Sequence, residues 1–375
     1  MKKILIIFPG FYLAYSPTTL NVFYELSKYF QVDLIAPEPV ETYSLLKVKD
    51  TRISYLKFYR RISIYQRICN YISKKAGIIF RKFEKVNLIN TETSFIINRI
   101  SNFSGEIIAI DFKILWCAQQ AGKSAHFISL EIPPQDDVFR EHCKDSMIKS
   151  VLIQDQRRYD YLFKQKSIPV FFVQNSPPDS NLSVNISKRD KHKLIFCGSA
   201  IPEFGIFSLL DFLNEFPEYT LTIKGVIPPA VQDIISSYYV DILRSNRLYY
   251  CESYMDNEAL SHFLNDFRIG FVFYDFHRFE QLRTFNYYTA PSGKMFQYCN
   301  SGVPCIGNRL PESSLIEEYN FGELVDSLGP SQIKTAIDKI ESDYEKYALN
   351  SKEFSRKIDF NKAIKTYKDF LIECS

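Results

Sequence analysis

Pro291-Ser292-Gly293-Lys294 stands directly ahead of a helix-length stripe, Met295-Phe296-Gln297-Tyr298-Cys299. That spacing suits an anion. Small residues let backbone N–H groups approach a phosphate, the helix dipole favours negative charge there, and Lys294 adds a cation in the first turn. The same residues would also serve as a plain helix cap, with Lys294 in solvent. Cys197-Gly198-Ser199 follows a strong apolar run and precedes Phe204-Gly205 at a helix start. It is open to two readings, a phosphate contact or a glycine turn. It matches neither G-x-G-x-x-G nor G-x-x-x-x-G-K-[ST], so a dinucleotide fingerprint and a P-loop are unsupported. Two carboxylates, Asp111 and Glu131, each follow an apolar strand, and either could accept a proton from a hydroxyl. Glu131 is the favoured base, although Ile132-Pro133-Pro134 after it also fits a residue that only organises a loop.

Metal chemistry has no support. No D-x-D triplet occurs, the five histidines show no H-E-x-x-H spacing, and the eight cysteines form no C-x-x-C. The expectation is that no metal or other cofactor is required. The cysteines lie mostly in apolar runs, as reduced thiols of a cytoplasmic protein do. The first apolar run ends at Phe8, followed by Pro9-Gly10, which reads as a buried strand and loop rather than a secretion signal.

One segment carries a charge bias. Residues 47–85 hold twelve basic side chains against two acidic ones, interleaved with Ile and Tyr. A basic, amphipathic, helix-rich stretch suits an anionic membrane surface, which would make the protein peripheral at the inner face of the cytoplasmic membrane. A solvated helix face is the alternative. With an overall net charge of only +3 and no accompanying motif, nucleic acid is not an expected partner.

These groups need a frame. The 375 residues, 46% hydrophobic and 24% charged, suffice for two domains. Short apolar runs alternate with amphipathic segments. Strands are expected at Lys3–Phe8, Val32–Ala36, Glu106–Ile110, Ala125–Leu130, Ser150–Gln154 and Val170–Val173. After a polar break, they resume at Lys193–Cys197, Tyr219–Lys224, Arg247–Cys251, Ile269–Tyr274 and Val303–Ile306. Everything beyond Ser331 reads as helix. The rhythm predicts an α/β chain of two Rossmann-like, doubly wound domains facing across a cleft, with ligand-binding loops at the carboxyl ends of the strands. Domain limits are set at 1–175 and 193–358, joined by a linker at 176–192, with 359–375 as a terminal helix.

The second domain resembles a family. Phe196-Cys197-Gly198-Ser199, Tyr219 to Gly225, Phe267 to Tyr274, and Pro291 to Ile306 occur in the order seen in GT-B glycosyltransferases. The last stretch is similar to their donor-site signature, and the type is that of the group-1, family-4-like bacterial enzymes. The resemblance implies a nucleotide-diphosphate sugar on the second domain and a glycan or lipid-linked acceptor on the first. It also implies a final helix crossing back to the first domain. Donor-binding residues would be Gly198, Ser199, Lys224, Ser292, Gly293, Lys294 and Gln297, with Gly10 and Phe11 on an acceptor-side loop. Retaining hexosyl transfer in cell-surface polysaccharide synthesis is the implied activity. The alternatives are a nucleotide-sugar 2-epimerase of the same architecture, or a non-catalytic partner subunit. This chain departs from the family's paired Glu residues, having Thr289 and Gln297 there, and no basic residue lies between Ser199 and Gly205.

Overall fold

The computed structural model describes residues 1–39, 47–57, 88–134, 136–163, 167–184, 186–289 and 292–374. They form two parallel sheets. The first takes β1 (Lys3–Ile7), β2 (Gln31–Pro37), β3 (Ile53–Leu56), β4 (Glu106–Ile110), β5 (Ala125–Ile128), β6 (Ile148–Ile153) and β7 (Val170–Phe172). Their order is β3-β2-β1-β4-β5-β6-β7. The second takes β8 (Lys193–Cys197), β9 (Thr220–Lys224), β10 (Leu248–Cys251), β11 (Ile269–Val272), β12 (Cys305–Asn308) and β13 (Gly322–Val325). Their order is β10-β9-β8-β11-β12-β13. In both, the order reverses beside the first strand of the domain, which leaves a crevice at the carboxyl ends of the strands.

Continuous apolar runs make the central strands. Ile4, Leu5, Ile6 and Ile7 of β1 are all buried, because helices cover both faces of a parallel sheet. Helix Pro17–Leu26 packs Val22, Phe23 and Leu26 into the first core, and helix Ile206–Glu215 packs Leu209, Leu210 and Leu213 into the second. The chain is helical from Pro330 almost to its end. Phe360, Ile364, Tyr367 and Leu371 of the last two helices join the core of the first domain, so the C-terminal helix does cross back. The linker is docked rather than loose. Buried Arg189 donates to the carbonyls of Asn265, Ser301 and Gly302, and Lys352 pairs with Asp179 at 2.6 Å.

Two strands depart from the expectation. β13 is an extra strand at the edge of the second sheet, where Phe321-Gly322-Glu323-Leu324-Val325 is too mixed in polarity to stand out. β3 falls inside the basic segment read as helix-rich. Its alternation is an edge-strand pattern, with Ile53 buried and Ser54 exposed, and the cations flanking it find local partners. Arg52 pairs with Asp50 at 2.7 Å, and Lys47 and Lys57 both face Glu38. The rest of that segment, 58–85, lies outside the described residues.

Candidate active site in the interdomain cleft

A cavity of about 900 Å³ lies between the domains, within the size range of small-ligand sites. Its second-domain wall carries all seven expected donor-side residues: Gly198, Ser199, Lys224, Ser292, Gly293, Lys294 and Gln297. Its first-domain wall brings Phe11, Asp111 and Glu131. Gly10 is not on the wall. It is buried beneath the Tyr12 ring, where a Cβ would come within 2.6 Å of a ring carbon.

The glycine turn after β8 requires glycine. Gly198 has φ +109° and Gly225, after β9, has φ +147°. A Cβ on Gly225 would sit 2.1 Å from the Gly198 carbonyl oxygen, so the two turns touch backbone to backbone. The open side of Gly198 is filled by Lys294, whose Cε would lie 3.0 Å from an added Cβ.

Lys294 is where the structure overrules the solvent-exposed alternative. It is in the first turn of helix Gly293–Asn300, but its ammonium is buried and has no hydrogen-bond partner among the described residues. Aromatic rings surround it, with Phe196 at 4.4 Å, Phe204 at 4.5 Å and Tyr274 at 5.8 Å from Nζ to ring centroid. Burial pushes its pKa down from 10.5 to about 8. Ring faces attract a cation but cannot replace its lost hydration. A buried ammonium at the wall of a cavity keeps hydrogen-bond donors that no protein group among the described residues takes up. Gln297 lies one turn further along the same helix and also faces the cavity. Lys224 is turned differently, donating to the Ser253 carbonyl at 2.6 Å.

On the opposite wall, Asp111 and Glu131 are brought together from the ends of β4 and β5. Asp111 opens helix Asp111–Gln120 in a left-handed conformation, φ +60°, sparsely used by residues other than glycine. Its Oδ1 accepts the Leu130 N–H at 3.2 Å. Burial lifts its carboxyl to about 7, with the Glu131 charge adding to the effect. Glu131 opens onto the cleft and accepts a hydrogen bond from Asn286 Nδ2; crowding by the walls raises its pKa against the opposing pull of that bond and of Arg158. The two carboxylates considered as bases from the sequence therefore meet on this wall in different environments. Asp111 has the value suited to accepting a proton near neutrality, and Glu131 is held by a neighbour.

Several lining residues gave no signal in the sequence. Tyr15 accepts the Val226 N–H across the cleft at 2.7 Å, and Asn257 donates to Asn21 at 2.7 Å. Tyr12, Tyr24 and Tyr254 add an aromatic wall. No group of three or more potential metal ligands occurs among the described residues. His126 is buried at the opposite end of the first sheet and bonds Ser150 at 2.7 Å, a core contact.

Two parallel doubly wound sheets, a shared cleft and a returning C-terminal helix define the GT-B fold. No family model matches the chain, and no curated protein matches it. Solved structures do. The chain is similar to the pneumococcal O-GlcNAc transferase GtfA, solved with UDP and GlcNAc, at 12% identity over 99% of each chain with a TM-score of 0.64. It is similar to Anabaena Alr3699/HepE, solved with UDP and glucose, at 11% identity over 100% of this chain and 99% of that one, TM-score 0.61. A UDP-N-acetylglucosamine 2-epimerase structure from Listeria monocytogenes matches at 13% identity over 93% and 90%, TM-score 0.53.

Proposed function

We propose that the chain is a glycosyltransferase that moves a sugar from a nucleotide-diphosphate sugar to a hydroxyl of a glycan or lipid-linked glycan, in bacterial cell-surface polysaccharide synthesis. The observation that carries this reading is the buried, unpartnered Lys294 ammonium facing the same cavity as Asp111 and Glu131. One wall suits a leaving diphosphate and the other an acceptor hydroxyl. As the bond from the anomeric carbon to the diphosphate breaks, charge grows on the phosphate oxygens, and Lys294 with the first amides of helix Gly293–Asn300 stabilises it. The acceptor oxygen attacks the same carbon, and its proton passes to Asp111. Gln297 is placed to bond a ribose hydroxyl. Because GtfA and HepE were solved with UDP, UDP-sugars are the first donors to test.

The resemblance implies retention, whereas proton removal by Asp111 in a direct displacement requires inversion. The anomeric configuration of the product, read by proton NMR, decides between them. The overall experiment follows UDP release from UDP-sugars by the purified protein, with and without glycan acceptors. Acceptor-dependent release that survives excess chelator supports the reading. Isomerised donor without any acceptor makes the protein an epimerase, and UDP binding without turnover makes it a non-catalytic subunit. Loss of activity in EDTA with recovery on adding manganese refutes metal independence.

A further inference from the structure

Arg158 is completely buried, yet no carboxylate lies within ion-pair distance of it among the described residues. It belongs to the first domain, in helix Gln156–Leu162 behind the cavity wall. All four of its acceptors are neutral. Nη2 donates to the Leu130 carbonyl at 3.1 Å and to Asn286 Oδ1 at 3.0 Å. Nη1 donates to the Asn286 carbonyl at 3.4 Å and to Thr289 Oγ1 at 3.2 Å. Three of the four therefore come from one helix of the second domain, Phe285–Thr289. Asn286 is the hub of this contact, because its Oδ1 also accepts the Ile132 N–H at 2.8 Å and its Nδ2 holds Glu131. Phe285 stacks on Tyr161 of the first domain, ring centroids 4.1 Å apart. Thr289, in a position where the resembling family has a glutamate, faces Arg158 and is buried.

We infer that Arg158 is a positioning residue that fastens helix 285–289 of the second domain against the Leu130–Ile132 loop, so that Glu131 is aligned in the cleft only when the two domains are closed. The inference rests on the glycosyl-transfer reading for its kinetic consequence but not for its structural one. Separating the domains would strip the guanidinium of three acceptors and Glu131 of its partner together, and buried donors left unmade are costly. The charge of Arg158 also favours the ionised forms of Asp111 and Glu131. The other titratable groups facing this pair are Tyr12, Tyr274 and Tyr287, and Asp155 acts on Arg158 itself.

Hydrogen exchange of the full chain tests the fastening without any turnover. In Arg158→Gln, exchange across 130–134 and 285–289 should rise at least tenfold, while β8 and β9 keep their protection. Asn286→Ala, which leaves Arg158 in place, should do the same and carries the test if Arg158→Gln does not fold. Unchanged exchange at both segments in either folded variant overturns the proposal, as does loosening spread equally over β8 and β9. Where UDP-sugar turnover is present, the acid limb of the kcat/KM profile should move up by about one pH unit in Arg158→Gln. Arg158→Lys should restore that limb but not the protection, because one ammonium cannot span four acceptors. An acid limb that stays put in Arg158→Gln would mean that Arg158 acts through packing alone, against the inference. Absent UDP binding or turnover in the parent would instead refute the proposed function and leave the exchange result standing.

Discussion

Replacing Lys294 with methionine should stabilise the free protein and cripple its nucleotide binding, an opposite pair of effects that a surface lysine could not produce. Its ammonium sits without a hydrogen-bond partner against Phe196, Phe204 and Tyr274, and burial takes its pKa from 10.5 to about 8. At 1.36 kcal/mol per pH unit, holding it charged at neutral pH costs roughly 3 kcal/mol. Attraction to the two nearest rings offsets about 1–2 kcal/mol of this. A methionine of similar length should therefore raise the stability of the ligand-free protein by about 1–2 kcal/mol, or ~1–3 °C in Tm. The sign with pH follows. A base whose folded pKa lies below its unfolded one holds fewer protons when folded, so its cost is complete below about 8 and fades as pH rises toward 10.5. The parent should gain stability over that interval relative to Lys294→Met. Binding reverses the penalty, since a diphosphate supplies the missing partner. A charge-assisted contact of ~1.5–3 kcal/mol makes the variant bind UDP about 10–100-fold more weakly. At a UDP concentration ~100 times the parent's Kd, the parent should be stabilised by ~2.7 kcal/mol and the variant by ~0.4–1.4. Calorimetry of the parent near pH 9 in buffers of different ionisation enthalpy should show close to one proton taken up per UDP. A variant less stable than the parent, with its UDP shift intact, would refute the anion-site assignment.

Asp111→Asn should lower transfer by about 10²–10⁴-fold and abolish an acid limb near pH 7, while Glu131→Gln should cost less; equal losses in kcat/KM–pH profiles would return Glu131 to the role of base. Because the folded pKa of Asp111 lies above its unfolded 3.8, its cost appears as pH rises toward 7, so Asp111→Asn should be more stable than the parent at pH 8 and equal to it at pH 4 in denaturant titrations. Segment 47–85 should bring the protein to liposomes containing anionic lipid and release it in high salt. Replacing Arg60, Arg61, Lys74 and Lys75 with Gln should abolish that capture; equal binding to neutral liposomes would contradict it.

Most of the sheet framework was legible because a strand covered on both faces must be apolar throughout. Runs such as Lys3–Ile7 and Lys193–Cys197 can be read with no knowledge of their neighbours. The same is true of the break after Val173 and of the Ser292-Gly293-Lys294 helix entry, both written in local turn chemistry. Edge strands were not, since β3 has only one side to pair and the charges flanking it mimic a basic helix. The character of each site residue was also beyond the sequence. Lys294 is unusual because Phe196, Phe204 and Tyr274 converge from three separated segments. Asp111 and Glu131 differ because burial raises the one and Asn286 holds the other. Arg157 and Arg158 are adjacent and alike in sequence, but one reaches Glu312 at the surface and the other is buried between the domains. Strand and helix formation depends on a residue's neighbours along the chain. A pKa and a hydrogen-bond set depend on its neighbours in space, and those are assembled only when distant parts of the chain fold together.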